Sequence, residues 1–178
     1  MKIDVTKNIY LESLTEKHVT DKYIEWLNDD EVMGFTEQNY KVHTFDTTID
    51  FVRSMDRDIN VFLFGIFFDE KHIGNIKLGP IDKNHSIADI SYVIGDKDFW
   101  GKGFTTQIIN KVCEFGFNVQ NLEKICAGTY ELNVGSSRVL EKNNFQREGI
   151  LRNQVIHNKK RYDVFKYGLL KNEFKIMS

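Results

Sequence analysis

Proline is almost absent from this chain: Pro80 is the only one in 178 residues, and no Gly/Ser-rich or low-complexity stretch occurs. Without such punctuation no linker is legible, and the length suits one domain, 1–178. Cysteine is equally scarce. Cys113 and Cys126 sit among apolar residues with neither CxxC nor Cys/His ligand spacing, so the expectation is two reduced thiols, no metal and a cytoplasmic setting. Charge of one sign is lacking too. A formal net charge of −2 gives no footprint for nucleic acid, and Lys159-Lys160-Arg161, the densest basic cluster, reads as a turn tip or a contact for phosphate or an acidic partner. The longest apolar run, Val61 to Phe68, falls far short of the ~20 residues of a membrane helix, and Met1 to Tyr10 has no signal-peptide pattern.

What the chain does have is an ordinary globular balance, 41% hydrophobic and 28% charged, with 14 Phe and 7 Tyr to fill a core. Ile9 to Leu14 suits a first strand. Thr15 reads as the N-cap of a helix carrying Val19, Tyr23, Trp26 and Leu27 at helical spacing. Short helices are expected over Asp29 to Phe35 and Thr44 to Met55. Val61 to Phe68, apolar on both faces, predicts an internal strand, followed by His72 to Leu78 and by the alternating Ile87 to Ile94. Thr105 to Asn118 then reads as a helix, Lys124 to Tyr130 as a strand, Gly135 to Lys142 as a helix. Phe145 to Ile150 and Asp163 to Leu170 close the order as strands. An antiparallel meander feeding a β-α-β unit predicts an α+β (mixed α/β) fold, with about seven mostly antiparallel strands flanked by helices.

The chemistry is expected between the strand ending at Ile94 and the helix opening at Thr105. There Trp100-Gly101-Lys102-Gly103-Phe104-Thr105 places two glycines before a helix N-terminus. Glycine lets backbone approach a ligand, and first-turn amides with the helix dipole suit a pyrophosphate. A Walker A loop would need GxxxxGK[ST], and a Rossmann fingerprint a third glycine where Thr106 stands. By spacing alone the stretch is a turn or a generic phosphate cradle.

Asp98-Phe99-Trp100-Gly101-Lys102-Gly103 resembles the Q/R-x-x-G-x-G/A loop of the GNAT superfamily of N-acetyltransferases, with Asp98 departing from Gln or Arg. A second block, Asn133 to Phe145, is similar to the family's N-x-x-S-x-x-x-L-E-K-x-G-F ending, with Asn144 in place of its glycine. Asparagine tolerates the left-handed backbone such a turn needs. The likeness runs from about Tyr10 to Phe174 and is closest to the branch of ribosomal-protein N-terminal and spermidine acetyltransferases. Ile73 to Gly79 also looks like members acting on amino sugars.

The resemblance implies acetyl-CoA as cosubstrate, lying in a V between the splayed strands Ile87 to Ile94 and Lys124 to Tyr130. Val93 and Ile94 would pair with the pantetheine arm, the amides from Gly101 to Thr105 would hold the pyrophosphate, and Asn133 would reach the cofactor. An amine would attack the thioester directly, with no metal. Many members protonate the thiolate with a tyrosine where this chain has Leu140; Ser136 matches a serine proposed for that role. The glutamate proposed as base is here Val155. Glu148, Asp89, Glu37 and His157 are the remaining candidates, and no base is assigned. The acceptor would be an amino sugar nucleotide or a protein N-terminus, with a polyamine as alternative, Glu31 and Glu37 being the carboxylates suited to a cation. The competing class is a silent acetyl-CoA sensor or scaffold. A monomer and a homodimer are both compatible with the sequence.

Overall fold

The computed structural model describes residues 1–177. Among the described residues eight strands and five α-helices run in the order β1 (Lys2–Asp4), β2 (Ile9–Ser13), α1 (Asp21–Leu27), α2 (Asp30–Met33), α3 (Phe45–Arg57), β3 (Phe62–Phe68), β4 (Lys71–Asp82), β5 (Ile87–Ile94), α4 (Phe104–Asn118), β6 (Lys124–Tyr130), α5 (Val134–Lys142), β7 (Gln146–His157) and β8 (Lys160–Leu170). Strand neighbours follow the order β1-β2-β3-β4-β5-β6-β8-β7, which is the expected mixed α/β class with one strand more than the seven anticipated. The added strand is β1. Its three residues pair antiparallel with β2 through Lys2↔Glu12 and Asp4↔Tyr10 and are too few to show an alternation.

Contacts group the chain into two compact units, Met1–Pro80 with Tyr92–Lys102, and Ile81–Ser91 with Gly103–Ser178. In the first, β2 pairs antiparallel with β3 and β3 with β4, so the apolar run of β3 is internal. Leu11, Phe64, Ile66, Ile73 and Ile76 are wholly buried there. A second cluster of Leu14, Tyr23, Trp26, Met33 and Val52 forms where α1, α2 and α3 turn their apolar faces inward. The first helix starts later than its sequence suggests. Thr15 opens a short 3-10 turn over Glu16–His18, and Thr20 accepts from the Tyr23 amide as the cap of α1.

In the second unit α4 buries Ile108, Ile109, Val112, Cys113 and Phe117, as its spacing requires. β5 and β6 run parallel through Ile87↔Lys124 to Asp89↔Cys126, and β6 is antiparallel to β8 over its whole length. β7 reaches well past the expected Ile150. A register shift between Leu151 and Val155 lets it continue to His157, with Asn153 at φ 52 absorbing the extra residues. Among the described residues no helix is long and apolar enough to cross a membrane.

Candidate active site

The stretch singled out by its glycines forms an irregular loop. In the first unit β5 ends with the Gly95 and Asp96 amides both donating to the Ile73 carbonyl, at 2.9 and 3.1 Å. A side chain at Gly95 would run into the Trp26 ring, so only glycine lets α1 lie on this backbone. Asp96 accepts from the Asp98 amide and pairs with Lys71 at 2.6 Å, which opens the turn Lys97–Phe99. Burial opposes ionisation of Asp96, but the Lys71 ammonium and the Asp98 amide outweigh it and hold the carboxyl below its usual range. Trp100, 40% exposed, donates its indole N–H to the Ile94 carbonyl at 2.8 Å. Lys102 reaches back over the Phe99 ring.

Gly101 and Gly103 have φ of 72° and 81°. Both are therefore glycine for their left-handed backbone, and nothing lies within 4 Å of where a Cβ would stand on either. Gly103 is the N-cap of α4 and supplies no side-chain oxygen; the Thr106 amide closes onto the Gly103 carbonyl at 3.2 Å. The first turn thus begins on open space, with its amides directed outward along the helix axis.

Also in the second unit, the Asn133 side chain caps α5 by accepting from the Ser136 amide at 3.1 Å. Ser136 is half-buried in the first turn, and the neighbouring Ser137 hydroxyl lies 3.1 Å from that of Thr129 on β6. Leu140, where the resemblance implied a tyrosine, is wholly buried, and Val155 is 8% exposed. Neither position offers a proton-transfer group. Asn144 has φ 64, the left-handed conformation that asparagine was expected to supply in place of glycine.

Sequence reasoning missed one arrangement. Asn143, 2% exposed, donates to the carbonyls of Thr106 and Val139 at 3.1 and 3.0 Å and accepts from Asn110 at 3.1 Å. Asn110 in turn donates to the Lys175 carbonyl and accepts from the Met177 amide. This clasp fastens the first turn of α4 to the end of α5, and only a pairing between distant asparagines could have revealed it.

The remaining candidates divide by their partners. Glu148 is clamped by Lys124, both carboxylate oxygens lying 2.7 Å from the ammonium, and Asp89 is exposed on β5. His157 closes the end of β7 edge-on to Tyr162. Glu31 is not a free anion for a cationic ligand, since Lys97 lies 2.5 Å from it and 2.8 Å from Asp29. Glu37 begins a 3-10 turn behind the Thr36 cap. Cys113 is buried, and burial pushes both its thiol and that of Cys126 upward, away from reactive thiolates. A shallow depression of about 740 Å³ in the first unit, lined by Lys2, Tyr10, Asp69 and Lys71, contains none of the motif residues.

Comparison with known proteins gives the same direction. Residues 8–146 match the family model of the acetyltransferase (GNAT) domain. An uncharacterized N-acetyltransferase, p20 of Bacillus licheniformis, is 31% identical over 121 residues, 68% of this chain and 67% of that protein. Two further Bacillus subtilis relatives align over 55% and 52% of their own length. Among solved structures, the ribosomal L7/L12 α-N-protein acetyltransferase RimL bound to coenzyme A superposes with TM-score 0.86 at 19% identity, covering 96% of this chain and 98% of its own. The spermidine N-acetyltransferase from Vibrio cholerae, bound to CoA and spermine, gives TM-score 0.83 at 22% identity, covering 94% and 98%. At those identities the structures establish a shared fold, while the family model, spanning most of the sequence, establishes kinship: the chain belongs to the GNAT acetyltransferases.

Proposed function

We propose that the chain transfers the acetyl group of acetyl-CoA directly to a primary amine, on an amino sugar nucleotide or a protein N-terminus, in the cytoplasm. The observation that carries this reading is the pair of left-handed glycines, Gly101 and Gly103, opening without obstruction onto the uncapped first turn of α4. That cradle fits a pyrophosphate. The amides from Gly101 to Thr105 would hold it, with Lys102 adding charge. Trp100 already occupies the Ile94 carbonyl, so a pantetheine arm pairing at Val93 and Ile94 would take the place of its indole N–H. Asn133 would reach the cofactor with the part of its amide that does not cap α5.

Bound acetyl-CoA supplies an activated acyl carbon and a thiolate leaving group. An ammonium cannot attack, so the acceptor must lose a proton first. Ser136, in the first turn of α5, is the residue we assign to hydrogen-bond the departing sulfur. With Leu140 and Val155 both apolar and buried, proton removal falls to a water-borne route or to a group on the acceptor side. Those same two substitutions favour the second reading, a silent acetyl-CoA sensor or scaffold.

Thermal stabilisation by acetyl-CoA tests the site, and free-thiol release with a panel of amines separates enzyme from sensor. A melting temperature unmoved by acetyl-CoA defeats both readings.

A further inference from the structure

The β7–β8 hairpin overhangs the rest of the second unit. Tyr130, the last residue of β6, pairs with Val164, which also pairs with Leu151. Everything between Arg152 and Asp163 therefore projects beyond the carboxyl end of β6. From that same end the chain turns, with the Asn133 amide donating to the Tyr130 carbonyl, into α5 and Ser136.

The charge of this hairpin is one-sided. Arg152, Lys159, Lys160 and Arg161 are all exposed. The one carboxylate between Arg152 and Asp163 is turned to backbone, Asp163 accepting from the Asn153 amide at 2.8 Å; Glu148, nearer the base of the hairpin, is held by Lys124, and Glu131, just past β6, accepts from the Asp163 amide at 2.6 Å. Arg161 donates to the Asn153 carbonyl at 3.0 Å. Among the described residues Arg152, Lys159 and Lys160 enter no ion pair with a carboxylate. Leu151 and Ile156, 40% and 47% exposed, add apolar surface beside the charges. The chain as a whole is slightly acidic, so this concentration is local.

We infer that the hairpin selects the acceptor by charge: the amine belongs to a molecule that also carries a phosphate or carboxylate, which Arg152, Lys159 and Lys160 attract while Leu151 and Ile156 meet its uncharged body. The inference rests on the acetyltransferase reading and sharpens it, disfavouring a polyamine. The shared chemistry, an anion on the amine-bearing molecule, has two sources, a phosphorylated amino sugar and an acidic peptide N-terminus.

The test uses the full chain with acetyl-CoA and matched acceptors: glucosamine 6-phosphate against glucosamine, and a peptide with acidic against one with basic residues after its N-terminus. The anionic member of at least one pair is expected to show kcat/KM higher by about tenfold, an advantage that shrinks as salt is raised. Which pair responds identifies the source. Lys159→Glu with Lys160→Glu removes the advantage while the melting temperature and the KM for acetyl-CoA hold. Equal use or preference for the uncharged or basic member in both pairs overturns the inference. So does a double variant that raises the KM for acetyl-CoA instead, which would assign the hairpin to the cofactor phosphates. Equilibrium binding of the same acceptors to CoA-loaded protein keeps the two readings apart. Preferential binding without thiol release refutes the transferase and retains the charge selection, whereas release without preference does the reverse.

Discussion

Replacing Asn143 by alanine probes how α4 is held. The residue makes three hydrogen bonds, to the Thr106 and Val139 carbonyls and from Asn110. Thr106 keeps a helical partner within α4, and Asn110 keeps the Lys175 carbonyl. Val139, in the last turn of α5, is left short of a donor at a part-buried site. With those two groups still partnered, losing the Val139 bond at about 1 kcal/mol net, and leaving its acceptor unpaired at a further penalty of about 1–2 kcal/mol, comes to about 2–3 kcal/mol. For a chain of this size that lowers the melting temperature by about 4–12 °C. Circular dichroism melts would measure it. Asn143→Asp is the informative companion: it preserves shape but cannot donate to either carbonyl and buries a charge, so it should cost at least as much. An alanine variant melting within about 2 °C of the parent, or an aspartate variant as stable as the parent, would refute the clasp.

Three other outcomes are expected. Asn144→Ala, forced to hold φ 64, should lose about 1 kcal/mol in denaturant unfolding, while Asn144→Gly stays within about 0.5 kcal/mol of the parent; an alanine variant as stable as glycine would contradict the left-handed turn. Burial holds the His72 imidazole below its ordinary value of 6.5, against smaller opposing hydrogen bonds to Asn75 and Gly74. Unfolding therefore takes up a proton in the range below 6.5, so stability is full above that pH and falls as pH drops through it. His72→Gln should flatten this slope, leaving the share due to His18, which burial lowers in the same way; an unchanged slope would count against it. With a thiol reagent the native protein should modify Cys126 slowly and Cys113 only after denaturation, and prompt modification of Cys113 would show that its burial is misjudged.

Legibility in the sequence tracked how local the cause was. β5, β6 and α4 were readable because alternation or helical spacing ran uninterrupted, and Lys124–Tyr130 came out with both ends as expected. β7 was cut short because Arg152, Asn153 and Gln154 break the apolar pattern where the strand bulges, and a bulge adds residues that no period-two pattern anticipates. Two threonines could each have capped the first helix. The choice of Thr20 over Thr15 depended on His18 turning its Nδ1 to the Thr15 amide. At the site the same division holds. The glycines at 101 and 103 could be read because a positive φ demands them, and the Asn144 turn likewise. The Asn110–Asn143 clasp and the capture of the Ile94 carbonyl by Trp100 could not, since each joins residues that no spacing rule connects.

If the Gly101–Thr105 loop seats the cofactor's pyrophosphate, as proposed, calorimetric titration of acetyl-CoA into the parent chain and Gly103→Glu will separate the two proteins. Space beside Gly103 lets the new side chain fit, so the variant should fold with only the strain of a left-handed residue, about 1–2 kcal/mol. Its carboxylate would face the phosphates in place of open amides, and affinity should fall by about a hundredfold. Equal affinity in the two proteins, or no binding by the parent, would rule this loop out as the pyrophosphate seat.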